Sequence, residues 1–357
     1  MEQLNVNTIE LPAVNPNEES IDLLAEPVLK LSTSASSNPS LLQRFSGIFY
    51  NLASAFLLTF SIFIVKHLGV DLLDALIPRF LLQSILLAFY MKFIKHYTFY
   101  KQTSKGEMLS LFANVFFATS GFFAFFFAYR YLSLPDAITI RYTQIIWTAI
   151  LSTIVYRERP SIPIVIATLL TTVGVTCVAQ PSFLFSKISS SNDSHRSLGL
   201  AIVFYSSIAM SIMVLTNKHL LLKYKTKHSL IVLQYAFVSL CAMVIYCFYK
   251  YYFRSDRIQS LQENFLTWKY LCASSVCLLQ ILSSIWIQKA IKRESPSVFT
   301  IIQSSDILFS ILLQNLVSSS KSNLLSIFGS MLVLTSILII SIYKFLNERK
   351  TKTNTVK

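Results

Sequence analysis

Three ionisable residues, Arg79, Arg141 and Asp306, interrupt stretches that are otherwise apolar over a helix length. Placing a charge at the centre of a membrane helix costs about 2.5–3.5 kcal/mol on insertion scales, so each is read first as part of a functional site. A guanidinium presents paired donors that match a carboxylate or a phosphate. A carboxylate beside it can neutralise the cation or carry a proton, because burial raises its pKa while the neighbouring Arg lowers it. The chemistry these residue types permit is recognition and movement of an anionic solute. Ala137, Arg141, Gln144 and Thr148 follow i, i+4, i+7, i+11, one stripe of a helix. Gln303, Asp306, Ser310 and Gln314 follow i, i+3, i+7, i+11 on another. The candidate solute-binding residues are therefore Arg141, Asp306, Arg79, Gln144, Thr148, Gln303 and Ser310. Each also has a structural reading: Arg141 and Asp306 as a buried pair joining two halves, Arg79 snorkelling to headgroups after Pro78, and the amides and hydroxyls as interhelical glue.

Other chemistries find little to work with. The five cysteines lack metal-ligand spacing and read as small packing residues. The five histidines sit in loops or at the ends of apolar runs; His67 and Asp71 have no second His to support them. No Ser/His/Asp set, Gly-rich phosphate loop or metal cluster can be assembled, so neither an enzyme nor a cofactor is expected. The net charge of +14 would suit nucleic acid if it formed one face, but the basic residues are scattered through loops, which argues against that partner.

The elements that must hold these side chains are legible from hydropathy. A mean hydropathy of +0.56 with 13% charged residues is a membrane composition. Ten runs approach the ~20 residues that span a bilayer: Phe45–Val65, Leu72–Met91, Leu109–Tyr129, Ala137–Tyr156, Pro163–Ala179, Leu198–Thr216, Ser229–Tyr249, Trp268–Ile287, Val298–Val317 and Leu324–Phe345. Gly47 precedes Lys66-His67 by 19 positions, as Gly199 precedes Lys218-His219, so the chain reads as two related halves of five spans. An odd number of spans inverts the second half relative to the first, around a midplane site. Of the 31 Lys and Arg, twenty fall on one side and nine on the other, which puts both termini in the cytoplasm. The expected architecture is all-α and integral to the membrane: an acidic disordered cytoplasmic tail (1–43), a first five-helix repeat (44–181), a second, inverted one (198–346), and a basic cytoplasmic tail (347–357). Glu19, Leu23 and Leu24 have the spacing of an acidic dileucine signal, and Asn192-Asp193-Ser194 is a glycosylation sequon on the opposite side. Plasma membrane and endomembrane both remain open.

In the inverted arrangement the fourth and ninth spans are equivalent and antiparallel. Arg141 lies about 9 Å and Asp306 about 15 Å from the starts of their spans at 1.5 Å per residue. Two registers are compatible with the sequence. An offset of 161 aligns Pro135 with Pro296 and Thr139 with Thr300; 162 superposes Arg141 on Gln303, Gln144 on Asp306 and Thr148 on Ser310.

Asp136-Ala137, Ile140, Thr148-Ala149-Ile150, Arg157-Glu158-Arg159 and Gly174-Val175 resemble the first EamA-type repeat of the drug/metabolite transporter superfamily. They are most similar to solute carrier family 35 proteins of the G type, and the resemblance extends over residues of about 44–346. It implies two EamA-like repeats forming a ten-helix carrier that works by alternating access, with the fourth and ninth helices lining a central cavity. The chain departs from the pattern at Ile145, where Pro is usual, at Arg141, where a small polar residue is usual, and at Ser318–Ser320, which lack an acidic match to Glu158. The expected function is secondary transport of a small organic anion. A non-transporting membrane scaffold acting through its tails, and a nucleotide-sugar carrier, are the alternatives.

Overall fold

The computed structural model describes residues 41–70, 72–94, 96, 104–128, 131–132, 134–157, 161–181, 193–253, 267–317 and 323–355. The dileucine-like residues and Glu158–Arg159 lie outside these. The regular structure is helical: α1 (Leu41–His67), α2 (Leu72–Phe89, continued by a π-helical turn Tyr90–Ile94), α3 (Lys105–Ala128), α4 (Leu134–Tyr142), α5 (Gln144–Tyr156), α6 (Ile162–Ala179) and α7 (Asp193–Leu222). Then follow α8 (His228–Phe253), α9 (Trp268–Cys277), α10 (Leu279–Arg293), α11 (Pro296–Gln303), α12 (Ser305–Val317) and α13 (Leu324–Thr355). They make ten stretches long and apolar enough to cross a membrane. The fourth span joins α4 to α5, the eighth α9 to α10, and the ninth α11 to α12. All ten overlap the runs read from hydropathy. α1 begins inside the segment assigned to the N-terminal tail, and α13 runs on through most of the basic C-terminal one.

Side-chain sorting is that of a bilayer protein. Phe112, Ile154, Ile162 and Leu316 stand exposed on the outside of the bundle, while Asn51, Gln83, Ser206 and Ser304 are sealed within it. A soluble protein shows the reverse preference. With no water in the hydrocarbon, hydroxyls bond their own helix or the next. Thr168, Thr171, Thr172 and Thr176 each donate to a carbonyl one turn back along α6.

The interruptions of the fourth and ninth spans share one feature. The Thr143 hydroxyl donates to the Ile140 carbonyl (2.7 Å) and the Ser304 hydroxyl to that of Ile301 (2.6 Å). Such back-bonding competes with the helical ladder, and both residues adopt 3₁₀-like angles, ψ −13° and −7°. The breaks lie 161 positions apart.

Packing follows a regular scheme. The third span packs on the sixth and the first on the eighth; the sixth also meets the fourth, and the first the ninth. The second packs on the seventh, the fourth on the ninth, and the fifth on the tenth. In the last pair Gly174 and Gly329 oppose each other so closely that a Cβ on Gly174 would sit 2.7 Å from the Gly329 carbonyl oxygen. Small residues let membrane helices approach in this way.

The Gly and Lys-His landmarks acquire physical meaning. Gly47 makes room for the Glu294 side chain at the eighth-to-ninth turn, and Gly199 for Tyr131 and Leu132 at the third-to-fourth turn. The lysines diverge: Lys66 is exposed, whereas Lys218 is buried. Lys218 Nζ donates to the carbonyls of Ile291 (3.0 Å), Lys292 (3.0 Å) and Glu294 (2.7 Å). A cation at the C-terminal end of α10 satisfies carbonyls that no helical N–H reaches and complements the helix dipole. The buried Glu294 carboxylate pairs with Lys344 Nζ at 2.6 Å, fastening α13 to the same turn.

Hydrogen bonds to charged groups are worth about 1.5–3 kcal/mol. Lys218→Met is therefore expected to lower the thermal unfolding midpoint of the detergent-purified protein clearly, while Lys66→Met changes stability by no more than about 0.5 kcal/mol. Equal effects of the two would contradict this account of the joint.

Candidate functional site

The site is assembled from the breaks and from the face of α2. Asp306 is in the first turn of α12, two residues past the break at Ser304, with its backbone carbonyl accepting from Thr59 (3.4 Å). Its carboxylate Oδ1 accepts a short hydrogen bond from the Tyr142 hydroxyl, the last residue of α4. Arg141, half-buried, lays its guanidinium over the Phe125 ring of α3 at 4.3 Å. The expected direct pair is thus replaced: no ion pair joins Arg141 to Asp306, although the Arg141 charge acts on the carboxylate across the gap.

Arg79 does not snorkel. It is 6% exposed and turns inward to the eighth span, where Nη1 donates to Gln280 Oε1 (2.7 Å) and Nη2 to Ser284 Oγ (3.0 Å). Its guanidinium lies 4.5 Å from the centroid of the Phe80 ring. Gln280 Nε2 donates onward to Ser61 Oγ (2.5 Å), so one network ties the second, eighth and first spans. Tyr235 of α8 packs edge-on against Phe80.

The remaining candidates divide. Thr148 is fully buried with its hydroxyl unpartnered, and Gln303 is half-buried with Oε1 unpartnered. Gln144 is half-buried, and its backbone carbonyl accepts from Ser211 (3.0 Å). Ser310 and Gln314 are exposed, so the stripe on the ninth span turns outward beyond Asp306. Tyr142, Phe125, Tyr235, Gln280 and Ser284 escaped sequence reasoning. Gln280, Ser284 and Gln288 recur every four residues in an apolar span, a signal that was available; Tyr142, Phe125 and Tyr235 carry none that separates them from other aromatic residues. An apolar pocket of about 520 Å³ opens elsewhere, among Leu73, Phe123, Phe127, Ala201, Tyr205 and Tyr246, and contains none of the candidates.

Among the described residues, ten apolar helices enclosing buried guanidinium, carboxylate and amide groups define an integral, multi-pass membrane protein. Residues 45–180 match the EamA-like transporter family. That match covers the first five of the ten spans. The chain is 24% identical over 277 residues to solute carrier family 35 member G1 of Mus musculus, covering 75% of this chain and 70% of the mouse protein. It is 27% identical over 144 residues to the Homo sapiens protein of that name, covering 39% of this chain and 38% of the human one. A crystal structure with a TM-score of 0.64 and 11% identity covers 84% of this chain and 99% of its own, a likeness of fold alone.

The geometry predicts energetic coupling. Tyr142→Phe and Asp306→Asn disturb one hydrogen bond, so their effects on unfolding are expected to be non-additive by at least about 0.5 kcal/mol. Gln280→Leu and Asp306→Asn lie in separate networks and are expected to add. Double-mutant cycles on the purified protein check both statements; additivity of the first pair would refute the Tyr142 contact.

Proposed function

We propose that this EamA-family transporter is a secondary carrier of a small organic anion, working by alternating access around Arg141, Asp306, Arg79, Thr148 and Gln303, with Gln144 at the margin. Ser310, which is exposed, lies outside that centre. The observation that carries the reading is the placement of Arg141 and Asp306 beside the two helix breaks, where the guanidinium rests on an aromatic ring instead of on the carboxylate. A guanidinium so held is available to an incoming carboxylate or phosphate.

Two inverted five-helix repeats, residues 44–181 and 198–346, supply the alternation in this proposal. The packing scheme supports them: exchanging each span with the one five later turns third-on-sixth into eighth-on-first, and fourth-on-sixth into ninth-on-first. The second–seventh, fourth–ninth and fifth–tenth contacts map onto themselves. The breaks at Thr143 and Ser304 favour the 161 register, in which their hydroxyl acceptors, Ile140 and Ile301, also correspond. In that register Arg141 matches Ile302 and Asp306 matches Ile145, so the charges break the symmetry. The excess of Lys and Arg on one side favours both termini in the cytoplasm.

Arg141→Ala and Asp306→Asn are expected to abolish uptake of organic anions into proteoliposomes, with the folded protein recovered in normal yield. Uptake at the wild-type rate by either variant would remove the central site from this reading. Loss of the biological effect on deleting residues 1–43, with both charges dispensable, would favour a scaffold.

A further inference from the structure

Arg79 is a buried cation with an incomplete set of partners. Gln280 and Ser284 occupy Nη1 and Nη2, but Nε has none, and no carboxylate among the described residues pairs with the guanidinium. One turn along α2, on the same face, Gln83 is 0% exposed with neither its amide oxygen nor its amide nitrogen bonded. An uncompensated charge and a wholly unbonded amide are both costly inside a low-dielectric bundle. An anion accepting from both groups removes the two costs together.

We propose that Arg79 Nε and the Gln83 amide form a subsite for a singly charged oxyanion group, a carboxylate in preference to a phosphate monoester. Gln280 and Ser284 act as positioning residues that fix the plane of the guanidinium. The charge count sets the preference: one unpaired guanidinium balances a single negative charge, whereas a phosphate monoester carries roughly −1.5 to −2 at neutral pH. The Phe80 ring beneath the guanidinium leaves its edge, not its face, as the binding surface. The proposal rests on the organic-anion carrier reading and adds to it a second, separately testable point of attachment.

The test is a thermal-shift titration of the full-length protein in detergent with a monocarboxylate series from acetate to hexanoate. Inorganic phosphate and chloride at matched ionic strength are the comparison arms. A ligand that binds only the folded state raises the midpoint saturably. The expected result is such a rise with a carboxylate, lost in Arg79→Gln and shifted to about tenfold or higher concentration in Gln83→Leu. Gln83→Leu is also expected to raise the midpoint of the ligand-free protein, because it deletes an unbonded amide. A purely structural Gln83 would instead give a lower ligand-free midpoint and an unchanged carboxylate titration, which would overturn the subsite. So would the lack of a saturable rise with any carboxylate, or a larger Arg79-dependent rise with phosphate. If Arg79→Gln fails to fold, Gln83→Leu and Gln280→Leu carry the same comparison, with both expected to weaken the carboxylate response. Proteoliposome uptake separates this proposal from the carrier reading. Undiminished uptake by Arg79→Gln sinks the subsite alone; Arg79-dependent stabilisation without any uptake upholds the subsite and sinks the carrier.

Discussion

Inside hydrocarbon a polar group can bond only with the protein, and that constraint organises this chain. The Thr residues of α6 bond back to their own helix, Ser283 donates to the Ser54 carbonyl across the first and eighth spans, and Ser206 to that of Gly121 across the sixth and third. Lys218, a full charge, is met by three carbonyls. Several buried polar atoms nevertheless have no partner, among them both amide atoms of Gln83, Arg79 Nε, Thr148 Oγ1 and Gln303 Oε1, with others such as Asn114 Nδ2 and Gln234 Oε1 elsewhere in the bundle. The first five of these belong to or adjoin the residues singled out for chemistry. Asn51, Asn217 and Gln288 each keep an unpartnered oxygen toward the Lys218 end of the bundle, so unused hydrogen-bonding capacity continues from the candidate site toward that end.

The proposed duplication explains the scaffold better than it explains the charges. Gly47 and Gly199 do the same work at opposite ends, each admitting a turn between the third and fourth spans of one half or the equivalent turn of the other. The side chains admitted differ. At one end a carboxylate enters and is locked by Lys344, with Lys218 on the adjoining carbonyls; at the other, Tyr131 and Leu132 make an apolar joint and Lys66 is left exposed. Two ends of one architecture are therefore held by unlike forces. The polar joint depends on charges meeting, the apolar one on area buried.

The ten spans were legible because length and hydropathy decide whether a helix crosses a membrane, and neither needs tertiary information. Arg79, Arg141 and Asp306 were legible for the same reason, since a charge in such a run has no ordinary explanation. What the charges touch was not. Nothing in the spacing says that Tyr142, adjacent in sequence to Arg141, reaches Asp306 while Arg141 turns to Phe125. That follows from the break at Thr143, which ends α4 at Tyr142 and restarts the helix at Gln144. A continuous 3.6-residue wheel drawn through Arg141, Gln144 and Thr148 runs across that interruption. The role of Lys218 was not legible either, because its partners are backbone carbonyls from a turn some 70 residues away, and carbonyls leave no mark in a sequence.

The substitution of a tyrosine and a phenylalanine for the simple ion pair has an energetic consequence. A buried Arg–Asp pair in contact satisfies itself, and a solute entering such a site must first break it, leaving one charge uncompensated. With Asp306 held by a hydroxyl and Arg141 by a ring, neither charge is committed to the other. A cation–π contact is worth about 0.5–2 kcal/mol depending on desolvation, less than a charge-assisted bidentate pair gains in the same surroundings. Under the proposed carrier reading, an incoming oxyanion competes with Phe125 for the guanidinium rather than with Asp306, whose carboxylate has its own partner in Tyr142. Under the same reading an ionised Asp306 would limit, by repulsion, how much negative charge the site accepts.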